Sequence, residues 1–112
     1  MQIKYDNSNV FWKIIEGTLP CDKVYEDDRV LCFHDIDPKS PVHVLLVSKG
    51  QYVSFDDFVA GASAEEVAYF FKTARKIAGD LGLKSYRIIT NCGEEAGQVI
   101  FHFHLHIMGY DE

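Results

Sequence analysis

Apolar residues along the chain recur with two periods, one helical and one of strands. Val10, Phe11, Ile14 and Ile15 fall at helical spacing, which predicts a short amphipathic helix over Ser8 to Glu16, capped by Asn7 or Ser8 and stopped by Gly17. Lys23 to Tyr25 and Val30 to Phe33 read as strands joined by the charged turn Glu26 to Arg29. Asp35 to Pro41 carries two prolines and no apolar run, so it reads as a loop. Val42 to Val47 is an apolar third strand interrupted only by His43. Ser63 with Glu66 has the form of a capping box. Behind it, Val67, Phe70, Phe71, Ala74, Ile77, Ala78 and Leu81 keep the spacing of one buried face, predicting a long helix over Ala64 to Leu81 with Gly82 as its stop. Tyr86 to Thr90 is a fourth strand, Asn91 to Gly97 a glycine-bearing loop, and Val99 to Met108 a long last strand. The order α, β, β, β, α, β, β predicts one α+β domain over residues 1–112. Its helices, one N-terminal and one long, would cover a mainly antiparallel five-stranded sheet.

Composition narrows the possible functions. Hydrophobic residues make up 47% and charged residues 25%, enough for a packed core and far from a disordered tail. No apolar run approaches the roughly 20 residues of a spanning helix, so no membrane partner is expected. The opening residues lack the basic-then-apolar pattern of a signal peptide. Three cysteines, without paired spacing, fit a reducing compartment, and a cytoplasmic location is expected. The formal charge is −6, and the eleven basic residues are scattered, which argues against nucleic-acid binding. An anionic small molecule remains compatible, because a pocket can be rich in N–H donors within an acidic protein.

The densest chemistry lies in the last predicted strand. Strand side chains alternate faces, so His102, His104 and His106 would share one face, and Phe101, Phe103, Leu105 and Ile107 the other. Imidazoles on one face offer nucleophile, acid and N–H donor near neutral pH. Two readings stay open at this point. The row could act as a nucleophilic centre, or it could ligate a metal such as zinc. For the metal, supporting ligands are sparse: there is no Cys-x-x-Cys, no carboxylate lies within the row, and Asp35 or Glu94-Glu95 would have to fold in.

His102-Phe103-His104-Leu105-His106-Ile107-Met108 resembles the alternating His-apolar signature of the histidine triad superfamily. The likeness extends over roughly residues 8 to 109, through Phe11-Trp12-Lys13-Ile14-Ile15-Glu16-Gly17, Phe33-His34-Asp35-Ile36-Asp37-Pro38, Pro41-Val42-His43-Val44-Leu45-Leu46-Val47 and Gly97-Gln98. The helix-first order is similar to the Hint branch of purine nucleoside phosphoramidases. That resemblance implies a nucleotide hydrolase or transferase with no cofactor and no metal. His104 would attack the α-phosphorus of a purine nucleotide substrate such as an adenosine phosphoramidate, forming a nucleotidyl-histidine intermediate. His106 would donate to phosphate oxygens, His102 would assist the leaving group, and His43 would hold His102 in orientation. Asp35 would accept the ribose hydroxyls, while Phe11 and Ile36 would wall the base. Asn91, Gly97, Gln98 and Val99 would surround the phosphate, with Gln98 bonding a bridging or leaving group. Val99 stands where the branch often has a small hydroxyl residue, which implies a phosphate held more weakly by about 1.5–3 kcal/mol. A homodimer is implied as well. The alternative is a nucleotide-binding or regulatory module with little catalysis.

Overall fold

The computed structural model describes residues 4–111. Three α-helices and five strands follow in the order α1 (Val10–Glu16), β1 (Lys23–Glu26), β2 (Val30–His34), β3 (Val42–Ser48), α2 (Phe55–Gly61), α3 (Ala64–Asp80), β4 (Tyr86–Ile89) and β5 (His104–Gly109), with a 3-10 turn at Glu94–Ala96. The strands form one antiparallel sheet in the order β1-β2-β3-β5-β4. The predicted α+β class and five-stranded sheet are therefore present, and β3 and β5 lie side by side at its centre.

Two local differences have clear causes. The cap of α1 is Asn9, whose Oδ1 accepts from the amide of Trp12 at 2.9 Å, whereas Ser8 turns to the carboxylate of Asp6. Helix α2 escaped the pattern reading because seven residues with apolar side chains only at Phe55, Phe58, Val59 and Ala60 are too short to show a period. Its signal was the cap: Ser54 Oγ accepts from Asp57 N–H. The long helix ends as its sequence predicts. Gly82 takes the left-handed conformation at φ +75°, and the amides of Gly82 and Leu83 close onto Gly79 and Ala78, the paired bonds of a Schellman motif.

The sheet has two different faces. On one, Val44 and Leu46 of β3 and Leu105 and Ile107 of β5 pack with Phe58 of α2 and Phe70, Ala74 and Ile77 of α3. Phe103 stacks on Phe58 with ring centres 4.6 Å apart. On the other, Phe11 of α1 packs with Leu31, Phe33, Leu45 and Val47. Cross-strand partners share a face, and Leu45 pairs with His106 and Val47 with His104. The histidines of β5 thus open on the α1 face, beside a small apolar cluster. Asp27 ties the β1–β2 turn together, accepting from the amides of Arg29 and Val30 and from the hydroxyl of Tyr69 on α3. Among the described residues, no helix is long and apolar enough to cross a membrane.

Phe58 is fully buried and holds α2 against Phe70 and Phe103. Phe58→Ala is expected to lower stability by about 3–5 kcal/mol, read as a shift of the urea midpoint. A loss under about 1 kcal/mol would mean that α2 is not part of the cooperative core.

Candidate active site

Strand β5 begins at His104, not at Val99. Residues 99–103 follow an irregular path, so His102 is not the first member of an alternating row. It is fully buried. The break is set by a distant part of the chain: the amide of Phe103 leaves the strand ladder and donates to Tyr52 O at 2.7 Å, and the Phe103 ring lies in the core beneath α2 and α3. His104 and His106 alone share a strand face, their ring centres 5.2 Å apart.

Each histidine's partners determine which ring nitrogen carries the proton, because a carbonyl can only accept and a backbone N–H can only donate. His104 Nδ1 lies 2.7 Å from His102 O, so Nδ1 holds the hydrogen and Nε2 keeps its lone pair. His102 Nε2 lies 2.6 Å from Ser48 O and is likewise protonated. Its Nδ1 accepts from Tyr5 Oη at 2.6 Å. His43 Nδ1 accepts from the amide of Lys39 at 3.0 Å, which leaves Nε2–H to donate to His106 Nδ1 at 2.9 Å. His106 is thereby left with its proton on Nε2.

Burial favours the neutral rings throughout. It pushes His102 down to about 4, although its bond to Ser48 O works the other way. It also pushes His106 down to about 4, with added repulsion from His104 and His43. His104 and His43 are lowered as well, again chiefly by burial, while the Asp35 carboxylate acts to raise both. A neutral His104 with an unprotonated Nε2 is a competent nucleophile near neutral pH.

The histidines His104 and His106 line a cleft of about 320 Å³ together with Asp35, Ile36, Phe11, Asn91, Gly97, Gln98 and Val99. Ile36 is fully exposed at the rim, and Val99 is 82% exposed, so neither is a core residue. Phe11 is 5% exposed. Its ring meets His104 edge-on at 4.8 Å and Phe33 at 5.6 Å, so it supports the nucleophile's ring as much as it walls the cleft. Asp35 Oδ1 accepts from the amide of Asp37, and its Oδ2 lies 3.4 Å from His43 Nε2.

Four expected roles do not fit this geometry. His43 bonds His106, not His102. His102 has both ring nitrogens occupied and no exposure, so it cannot reach a leaving group. Gln98 is 4% exposed; its Oε1 accepts from Gly93 N–H and its Nε2 donates to Val53 O and Ile100 O, so the side chain fastens the loop and has no donor left for a substrate. The amides of Gly97 and Gln98 also close within the loop, onto Glu94 O and Gly93 O. One neighbour of the histidines escaped the sequence reading. Tyr5 lies far from the histidines in sequence, and the only signal for it was the need of a buried imidazole for a second partner.

Asp35, His43 and His106 offer ligand atoms within 4.8 Å of one another, so the carboxylate needed for a metal does fold in. The donor set nonetheless opposes it. A metal on His43 Nε2 would move that ring's proton to Nδ1, where it would face the Lys39 N–H, donor against donor.

Comparison with known proteins gives a consistent picture. A family model described as HIT domain matches residues 16–112. An uncharacterized HIT-like protein of Rickettsia prowazekii is 47% identical over 107 residues, 94% of this chain and 89% of the relative. A solved HIT family hydrolase from Clostridium thermocellum superposes with a TM-score of 0.86 at 41% identity, covering 96% of this chain and 94% of that one. A HIT family hydrolase from Legionella pneumophila gives 0.85 at 34% identity, covering 93% and 94%.

The neutral histidines make stability depend on pH. The folded rings bind protons more weakly than the unfolded chain, whose histidines titrate near 6.5. Their contribution is therefore complete above about pH 6.5 and is lost as pH falls toward 4. His102 alone accounts for a loss on the order of 3 kcal/mol over that range. Urea unfolding at pH 7.5, 6 and 5 should show a falling midpoint, and a flat profile would contradict the neutral assignment.

Proposed function

The chain belongs to the HIT family, a superfamily of nucleotide hydrolases and transferases, and on that premise we propose that it cleaves nucleoside 5′-phosphoramidates or related nucleotidyl compounds through His104. The observation that carries the reading is the bond from His104 Nδ1–H to His102 O, which leaves the Nε2 lone pair on a ring lining the cleft. In the proposed reaction Nε2 attacks the α-phosphorus. The P–N bond breaks as the P–Nε2 bond forms, and the amine leaves with the electron pair of the broken bond. The departing nitrogen takes a proton from water in the cleft, while His106 Nε2–H donates to a phosphate oxygen. Water then displaces His104 from phosphorus, returns a proton to solvent in place of the one the amine took, and releases the nucleoside 5′-monophosphate. Two easier displacements replace one difficult one.

Within this reading the binding roles are uneven. Asp35 accepts a ribose hydroxyl with Oδ2, Ile36 covers the base, and Asn91 donates to phosphate. Val99 brings no hydroxyl to the α-phosphate. The test is amine release from an adenosine phosphoramidate. His104→Ala should lose more than about a thousandfold in turnover while still binding nucleotide. Undiminished turnover in His104→Ala would contradict the proposal, and nucleotide binding without any wild-type turnover would favour a regulatory module.

We also propose a homodimer built along β4. This strand ends the sheet, and Tyr86 and Ile88 are exposed there beside an apolar groove formed with Phe71 and Ala74 of α3. An open edge of this kind is a ready template for a second copy. Sedimentation velocity should find wild type at twice the chain mass and Ile88→Glu at the 12.8 kDa of one chain. A monomeric wild type would remove the proposal.

A further inference from the structure

Residue 102 lies where the central sheet has not yet begun, yet its carbonyl sets the tautomer of His104. That carbonyl has no strand ladder to fix it. Its peptide is held at the N–H end by Phe103 N–H donating to Tyr52 O, 2.7 Å, and otherwise by the His102 side chain. The ring is clamped on both sides: Nε2–H donates to Ser48 O at 2.6 Å, and Nδ1 accepts from Tyr5 Oη at 2.6 Å. Tyr5 is itself steered, because Asn9 Nδ2 donates to its oxygen at 3.1 Å and so turns the phenolic proton toward His102. The Tyr5 ring also meets His102 and Trp12 edge-on, at 5.7 and 6.1 Å.

We propose that Tyr5 is a positioning residue for the nucleophile, acting through His102. Without the hydroxyl, the buried Nδ1 of His102 has no donor. Its ring can then turn or exchange its proton, and the carbonyl that holds His104 Nδ1–H loses part of its support. The short helix α1 takes part, since Asn9 both caps α1 through Oδ1 and orients Tyr5 through Nδ2. Tyr5 does not line the cleft, so its effect should fall on the chemical step and not on substrate binding.

The inference rests on the reading of His104 as nucleophile only for its kinetic part. The test therefore pairs kinetics with nitrogen NMR of the histidine rings. Tyr5→Phe removes only the hydroxyl. Asn9→Asp keeps the Oδ1 cap on Trp12 N–H, gives up the Nδ2 bond to Asp6 O, and replaces the donor on Tyr5 with a carboxylate that draws the phenolic proton away from His102. In both variants the His102 Nδ1 resonance should move downfield, toward that of a bare lone pair, and kcat should fall about five- to tenfold, the worth of one hydrogen bond, with KM unchanged. Nitrogen resonances equal to wild type in both variants overturn the proposal. So does a shifted His102 with unchanged kcat, because the contact then does not reach His104. If Tyr5→Phe does not fold, Asn9→Asp decides alone. If wild type hydrolyses no phosphoramidate, the functional reading fails separately, and faster solvent exchange of His104 Nδ1–H in the variants replaces kcat as the supporting result; unchanged exchange overturns it.

Discussion

The hydrogen bond from His104 Nδ1 to the carbonyl of His102, 2.7 Å long, is the constraint on which the rest of the site depends. An imidazole free to choose its tautomer divides its lone pair between two nitrogens. A carbonyl at Nδ1 removes the choice and leaves Nε2 open on the cleft side. The same logic runs through the neighbours. Ser48 O settles His102, the Lys39 amide settles His43, and His43 in turn settles His106. The protonation pattern of four histidines thus traces back to backbone groups, which have no alternative state.

The fold is arranged to hold that pattern. Pairing of β3 with β5 in the centre of the sheet puts His43, His104 and His106 on one face and Leu105 and Ile107 on the other. The apolar face is sealed by α2 and α3, the other only partly by α1, so one strand is half core and half site. Burial then works in the direction the proposed chemistry needs. A charged imidazole in this setting would have to give up solvation, and the neutral ring is favoured. The cost appears at low pH, where the unfolded chain takes up protons that the native rings resist.

Much of this was legible in the sequence. The alternation of His104 and His106, the long amphipathic helix and its capping signals marked the last strand, one wall of the cleft and the cover of the sheet, because each is a local pattern with a fixed period. What escaped was non-local or too short to show a period. Helix α2 has too few apolar positions. The late start of β5 follows from Phe103, whose ring belongs to the core under α2 and whose amide goes to Tyr52, a residue about fifty positions away in the chain. Gln98 resembled a ligand-binding residue because its place in the loop matched one. Only the structure shows both ends of its amide spent on Gly93, Val53 and Ile100. Tyr5 could not be found from pattern at all, since its partner is 97 residues distant.

The central claim is that His104 Nε2 is the atom that becomes bonded to phosphorus. The most direct measurement is intact mass after rapid quenching, without acid, of the protein mixed with a slow nucleotidyl substrate, comparing wild type with His104→Gly. A nucleotidyl adduct on wild type that is missing from the variant is the predicted result. An adduct of equal amount on both proteins, or none on wild type while the substrate is being turned over, would contradict the account.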